Sequence, residues 1–354
     1  MAIDWTRGDL RHGLTVLQVD PTDLATVRGE LRGATGGKLD LQYYGDTRMG
    51  AKLETTGAHG WDGSSALRLV HTVSDYTGML LVEPLFTGFV TDASWEGEGD
   101  ARSVSWTLKS CLHAMESAVT ALPFGVAADG KALGVFAQIC STLGRPCRID
   151  QTAHEYVFST NKVYEAGTTY ISILFDLCDR SNNRLGVDAD GTVTISGYVP
   201  PASRGADFDA SELGGRGAVI GPVSGDAIGL DAPSRVIVRA EDGDSSVTGE
   251  AAVAAGAPSS AKVRGFSIDR FESVSDLSPF TVDAARALAQ QYLENDLNDV
   301  PAIKHGLMYR PLREGDVERL TMADGSSARW MVSGASLDLA KWTWELDLKG
   351  GWTP

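Results

Sequence analysis

Hydrophobic and polar residues alternate along Val104-Ser105-Trp106-Thr107-Leu108-Lys109. That period of two sets Val104, Trp106 and Leu108 on one face and Ser105, Thr107 and Lys109 on the other, as a half-buried strand requires. The same pattern returns near the end of the chain in Trp342-Thr343-Trp344-Glu345-Leu346-Asp347-Leu348-Lys349. A matching segment precedes each copy: Phe89-Val90-Thr91-Asp92-Ala93-Ser94-Trp95 and Met331-Val332-Ser333-Gly334-Ala335-Ser336-Leu337 correspond class for class. Two related antiparallel hairpins are therefore predicted in the first and last parts of one polypeptide. A chain that makes the same β unit twice suggests a part in a ring whose symmetry exceeds its subunit count.

Around the first hairpin, Leu39 to Tyr43, Ala51 to Glu54, Ala66 to Val70, Phe86 to Trp95 and Ser103 to Lys109 alternate between Gly-rich turns, which predicts five strands of a small barrel or sandwich. The middle changes period. Lys131 to Leu143 carries Ala132, Phe136, Ile139, Cys140 and Leu143 at helical spacing, with Asp129 as a cap and Gly144 as a stop. A second helix is expected at Tyr170 to Arg180, capped by Thr168 or Thr169 and striped by Ile171, Leu174, Phe175 and Cys178. Asp190-Gly191 marks a hairpin between Val187 and Ile195. Pro200 to Gly205 reads as a boundary, and Ser234 to Arg239 as a strand returning to the β pattern. The Gly, Ser, Ala and acid-rich stretch from Glu241 to Ala261 offers little to bury and predicts a mobile loop. Thr281 to Asn295 reads as a helix. Beyond Pro301 the chain is β again, with Gly315-Asp316-Val317 entering a strand and Asp324-Gly325 turning it.

Charge narrows the functions available. Lys plus Arg total 31 against 47 Asp plus Glu, a formal net charge of −16, and such a field repels phosphate backbones. The start, Met1 to Arg7, lacks the basic patch and apolar run of a secretory signal, and no stretch approaches the roughly 18 to 20 apolar residues that cross a bilayer. Synthesis in the cytosol, without membrane insertion, is the expectation. Of four cysteines, Cys140 and Cys178 fall on apolar helix stripes, and the Cys140 to Cys147 spacing matches no zinc pattern.

Common catalytic signatures are not found: the sequence has no G-x-S-x-G, HExxH, P-loop or GxGxxG. His154-Glu155 has no nucleophile beside it and reads as a solvated strand end. Asp188-Ala189-Asp190-Gly191 and Asp242-Gly243-Asp244 lack the later Glu of a calcium loop. Glu96, Glu98 and Asp100 read as the exposed tip of the first hairpin. No enzyme, cofactor or metal is expected. Among the eight tryptophans, Trp342 and Trp344 share the inward face with Leu346 and Leu348, so they read as core, with a subunit contact as the other reading. Trp5, Trp61 and Trp352, near termini or in Gly-rich turns, are candidates for an interface, as are Trp95 and Trp342.

The order of parts, together with Pro84 to Val90, Ile139 to Gly144, Gly186 to Tyr198, Arg313-Glu314-Gly315-Asp316-Val317 and the final hairpin, resembles the baseplate or tail-tip hub proteins of tailed bacteriophages. That family includes the hub of contractile tails and the N-terminal hub region of tail-associated proteins in long flexible tails. The resemblance implies a mainly β fold with α+β inserts: two similar small tube-like β-barrel domains and an α/β middle domain. The first barrel would span 1–112, the α+β insert 113–200, the second barrel 201–240 with 300–354, and a loop-and-helix insert 241–299. It further implies a homotrimer at the distal end of the virion tail, adapting a hexameric tube to a threefold tip and lining a conduit that DNA passes without specific binding. Partners would be a distal tail ring protein and a central spike, fibre or other tip protein. A hexameric distal or minor tail ring protein is the structural alternative, for which one barrel per chain is expected. A carbohydrate-binding or glycan-cleaving tail protein is the alternative of another class.

Overall fold

The computed structural model describes residues 9–352 except 45–46, 58–59, 99–101, 200–202, 216, 227–231, 243–244, 256–258, 275–276, 278–279, 299–301 and 314. The chain opens with β1 (Arg11–Val19), β2 (Val27–Leu31), β3 (Thr35–Tyr44), β4 (Thr47–Thr56), β5 (Ala66–Asp75), β6 (Gly78–Glu96) and β7 (Ser103–Lys109), laid out as β2-β1-β5-β6-β7-β4-β3 with every pair antiparallel. The five expected strands are β3 to β7. β1 was hidden because a polar residue occupies an interior place, Gln18 being buried and held by Gly60 O and the Asp62 N–H, and β2 because Leu31 is the one buried residue of its five. β6 serves two partners in turn, β5 up to Gly88 and β7 from Phe89 onwards. The switch needs a glycine, since a Cβ on Gly88 would lie 2.4 Å from the carbonyl oxygen of Lys109.

An α+β insert follows: α1 (Leu112–Ser117), β8 (Phe124–Val126), α2 (Ala132–Thr142), β9 (Cys147–Ile149), β10 (Lys162–Tyr164), α3 (Tyr170–Ser181), β11 (Asn183–Val187) and β12 (Val193–Gly197). The predicted stripes are its core, with Phe136, Ile139, Cys140, Ile171, Leu174 and Cys178 buried together. Thr169 caps α3 by accepting from the Ser172 N–H at 3.3 Å. Asp129, expected to cap α2, is instead at φ 64° in the turn before it, and Glu155 accepts from the Leu133 N–H at the helix start. Gly191, at φ 92°, makes the β11–β12 turn.

The rest comprises β13 (Phe208–Ser211), β14 (Val219–Asp226), β15 (Arg235–Asp242), β16 (Ser245–Ala252), α4 (Ala261–Arg264), β17 (Asp269–Val274), α5 (Val282–Asn298), β18 (Ala302–Met308), β19 (Val317–Thr321), β20 (Ser327–Asp338) and β21 (Thr343–Trp352). Two expectations change here. The strand at Ser234 to Arg239 is β15, and it lies not beside the closing hairpin but in a separate sheet ordered β16-β15-β17. The stretch from Glu241 to Ala261 is not a loop throughout, because β16 pairs with β15 along its whole length. Its small residues serve close packing: α5 lies so near that a Cβ on Gly249 would come within 2.1 Å of the Arg286 backbone nitrogen. Val236, Val238, Ala251, Ala289 and Leu293 form the core between them.

The remaining strands, β14, β18, β21 and β20, continue the first sheet. The C-terminal part of β20 pairs with β3, so one thirteen-stranded sheet runs β14-β18-β21-β20-β3-β4-β7-β6-β5-β1-β2, with β19 and β13 branching from β20. The fold is mainly β with few helices. Both β modules contribute to a single core, in which Leu39, Leu53, Trp106 and Leu108 meet Val332, Leu337, Trp344 and Leu346.

Candidate assembly surface

The sequence repeat extends into a repeated topology. β3, β4, β5, β6 and β7 follow the path β3-β4-β7-β6-β5; β14, β18, β19, β20 and β21 occur in the same chain order and follow the same path, β14-β18-β21-β20-β19. Register agrees residue by residue in the two hairpins. Ala93 faces Trp106 and Ala335 faces Leu346, while Trp95 faces Val104 and Leu337 faces Trp344. Each hairpin is bulged at the equivalent place, between Val90 and Asp92 and between Val332 and Gly334. The bulged residue is a hydroxyl in both. Thr91 Oγ1 donates to Thr107 O at 3.3 Å, and Ser333 Oγ donates to Asp347 O at 3.2 Å.

What differs is the outer edge. On β20, Ala335, Ser336, Leu337 and Asp338 are paired with Leu41, Asp40, Leu39 and Lys38 of β3, and Leu337 is 0% exposed. On β6, the equivalent residues Ala93 to Glu96 are paired with β7 alone among the described residues, and Trp95 is 64% exposed, its ring covered on one side by the Arg102 guanidinium at 4.3 Å. β14, the counterpart of β3, is one end strand of the sheet, as β2 is the other: apart from the isolated bridge of Ala218, just before it, to Ser211, its pairing is with β18 alone among the described residues. Ile220, Ser224 and Gly225 along it are exposed.

Where the modules meet, an aromatic and polar cluster fixes their relation. Tyr309, fully buried, donates its hydroxyl to Glu83 Oε1 at 2.7 Å, and His71 Nδ1 is 3.4 Å from the same oxygen. His12 and His71 share a hydrogen bond at 3.0 Å, and Trp342 stacks on both, with centroids 4.4 Å from His71 and 5.2 Å from His12. Burial lowers the pKa of His71 against the opposing pull of Glu83. Burial, then the neighbouring charge of His71, lowers that of His12 to about 4. Trp342 occupies this place at φ 54°, with its N–H on Asp338 O and its carbonyl accepting from Tyr309.

Inside the second module lies a charge pair with no counterpart in the first. His305 Nε2 and Glu318 Oε1 are 2.8 Å apart, both side chains fully buried. His305 faces Leu346 as Leu53 faces Trp106, and Glu318 faces Trp330 as Leu67 faces Gly88. A leucine pair in one repeat is thus a histidine and a glutamate in the other. Burial alone would lower the pKa of His305, but the hydrogen bond and charge of Glu318 outweigh it and the pKa is raised. Nearby, the Arg310 guanidinium lies over the Phe208 ring at 4.0 Å, and burial lowers its pKa against the charges of Glu318, Asp316 and Asp209.

The tryptophans selected from sequence separate clearly. Trp95 is exposed on the open β6 edge; Trp342 is buried in the junction cluster; Trp61 is half-buried, packed on the shared core, and donates to Ser65 O at 3.1 Å. Trp5 and the side chain of Trp352 lie outside the described residues. Trp344 is core, as expected, with its indole N–H on Arg310 O. Glu96 and Glu98 are exposed at the hairpin tip, whereas Asp100 is outside the described residues. Asp190 spends its carboxylate on the Thr192 N–H in the β11–β12 turn, and Gly243-Asp244 lie outside the described residues. His154 is exposed with Nδ1 3.2 Å from Asn182 O, while Glu155 serves α2. Sequence reasoning missed β14, whose Val219-Ile220-Gly221-Pro222-Val223 is broken by glycine and proline, and the His12, His71, Glu83 and Tyr309 cluster, which only the fold assembles.

No family model and no curated protein matches the chain. Solved structures do. The tail protein from Neisseria meningitidis MC58 is 12% identical with a TM-score of 0.65, covering 97% of this chain and 98% of that one. The 43 kDa tail protein of prophage MuSo2 from Shewanella oneidensis is 10% identical with a TM-score of 0.62, over 96% and 99%. Prophage tail protein gp18 from Listeria monocytogenes EGD-e is 10% identical with a TM-score of 0.52, over 96% and 95%. The chain has the fold of these tail proteins along almost its whole length.

Proposed function

We propose that this protein is a structural component of a phage-type tail, the homotrimeric hub that joins a hexameric distal tube to a threefold tip. The observation that carries the reading is the five-strand path made twice by one chain, with the same register and the same bulge. Three copies then offer six equivalent β modules, the number a hexameric ring can dock on without breaking symmetry. Similarity in fold to prophage tail proteins supports the placement in a virion tail. The formal charge of −16 suits a conduit for DNA, since like charge keeps phosphates from adhering. Its partners would be the distal tail ring above and the spike, fibre or other tip protein below.

Light scattering on the purified chain tests the reading. A species of three times 37.6 kDa is expected, with a central channel and six modules in projection images. A hexamer would favour the tail-ring alternative, and a monomer at tens of micromolar would overturn the hub. Binding and turnover of host cell-wall glycans, expected to be nil, addresses the remaining alternative.

A further inference from the structure

We propose that the open edge of β14 in one copy completes the sheet on the open edge of β6 in the next, reproducing between chains the β20–β3 junction made within each chain. The inference rests on the hub reading for the closed ring of three, and on this molecule's own geometry for the contact. β20 shows what the β6 edge lacks. Both hairpins carry the same register and bulge, yet only β20 has a strand beside its outer edge, and that strand is β3. The counterpart of β3 in the second module is β14, and β14 has an open edge along Pro222 to Asp226, as β2 has at the far end of the sheet. Each chain thus has one edge of each kind, which is the requirement for head-to-tail closure by a heterologous contact.

Equivalence fixes the register. Asp40 pairs with Lys52 on β4, and Ser224 pairs with Lys304 on β18. Lys52 and Lys304 are themselves equivalent, lying one before Leu53 and His305. Because Ser336 pairs with Asp40 inside the chain, Ser94 would pair with Ser224 of the neighbouring copy. Trp95, in the place of Leu337, would then fall beside the bulged Gly221 to Val223 segment that precedes Ser224, burying an indole that is 64% exposed in the single chain. An exposed edge of this kind is costly to leave open, because its unpaired backbone groups template pairing with other chains. Closure removes both edges at once.

Cysteine pairing tests the contact. Paired antiparallel residues hold their Cα atoms about 4.5 to 5.5 Å apart, inside the range a disulfide spans. In the full chain with the exposed Cys147 changed to Ser, the double variant Ser94→Cys/Ser224→Cys should oxidise to a covalent trimer on non-reducing gels, and each single variant should not cross-link by this route. Trp95→Glu, on the same background without the cysteines, should weaken association about tenfold or more while leaving a monomer with native circular dichroism. A trimer by light scattering that gives no covalent species would overturn this contact and leave the hub reading standing. A ladder running beyond trimer would overturn closure, and a monomer in every preparation would overturn both.

Discussion

Thr91 and Ser333 make the same hydrogen bond from the same bulge, yet four residues further on Trp95 stands in solvent and Leu337 is sealed in a core. One local structure, made twice, meets two fates. The bulge and its hydroxyl bond are short-range properties of a hairpin and follow the local residues. Burial of the outer edge depends on a third strand, supplied by β3 in one case and by nothing within the described chain in the other. The second contrast lies inside the modules, where Leu53 and Leu67 on one side correspond to His305 and Glu318 on the other. Both pairs fill equivalent space, the first by dispersion and burial and the second by a charged hydrogen bond whose desolvation cost must be offset.

Changing one member of the charged pair should give the largest effect. Glu318→Leu leaves His305 buried without its partner and is expected to cost about 3–5 kcal/mol, read as a lowered urea midpoint. His305→Leu/Glu318→Leu, which copies the first repeat, should recover most of that loss or exceed the parent; a double variant as unstable as the single would show that the two repeats are not interchangeable. Next, Leu337→Ala should cost about 2–5 kcal/mol. Trp95→Ala, at the equivalent position, should change the stability of the monomer by less than about 0.5 kcal/mol. Equal losses at the two positions would remove the distinction between the covered and the open edge.

The histidines predict opposite pH limbs. His305 has a raised pKa, so its contribution is complete below the ordinary value of 6.5 and is lost as pH climbs through the raised value. His12, held near 4, refuses a proton that the unfolded chain accepts, so stability falls as pH drops from 6.5 towards 4. Melting temperature against pH should lose its alkaline decline in His305→Leu/Glu318→Leu and part of its acid decline in His12→Phe. Retention of both limbs in both variants would sink this assignment. The bulge gives a small change too: Ser333→Ala should cost about 0.5–1.5 kcal/mol, and Thr91→Val, in an exposed hairpin, less. A larger loss at Thr91 would mean that the β6 edge is already covered in solution.

Much of the fold was legible from residues whose preferences are local. Alternation located β7 and β21, the 3.6-residue stripe located α2 and α3, and Thr169 and Gly191 did the capping and turning expected of them. Reading failed where burial and polarity part company. Gln18 is a polar residue in an interior place, satisfied 42 residues away at Gly60, so it erases the alternation that would have revealed β1, and the interior places of His71, His305 and Glu318 run equally against the pattern of their strands. In β16 a Gly and Ala composition that resembles a loop is the condition for α5 to approach closely. Of the five interface tryptophans, composition could not separate Trp95 from Trp342, because exposure is a property of the neighbouring strand.

The sequence by itself determined the twin hairpins, the insert helices with their stops and turns, and the excess of negative charge, because each follows from side-chain period, turn chemistry or a count of ionisable groups. Only the tertiary structure decided that β20 would lie against β3, that β15 would leave the main sheet for one of its own, and that the edges of β6 and β14 would stay open. Strand pairing couples residues across the length of the chain, and two edges with the same alternation are equally good partners until the rest of the fold brings one of them within reach.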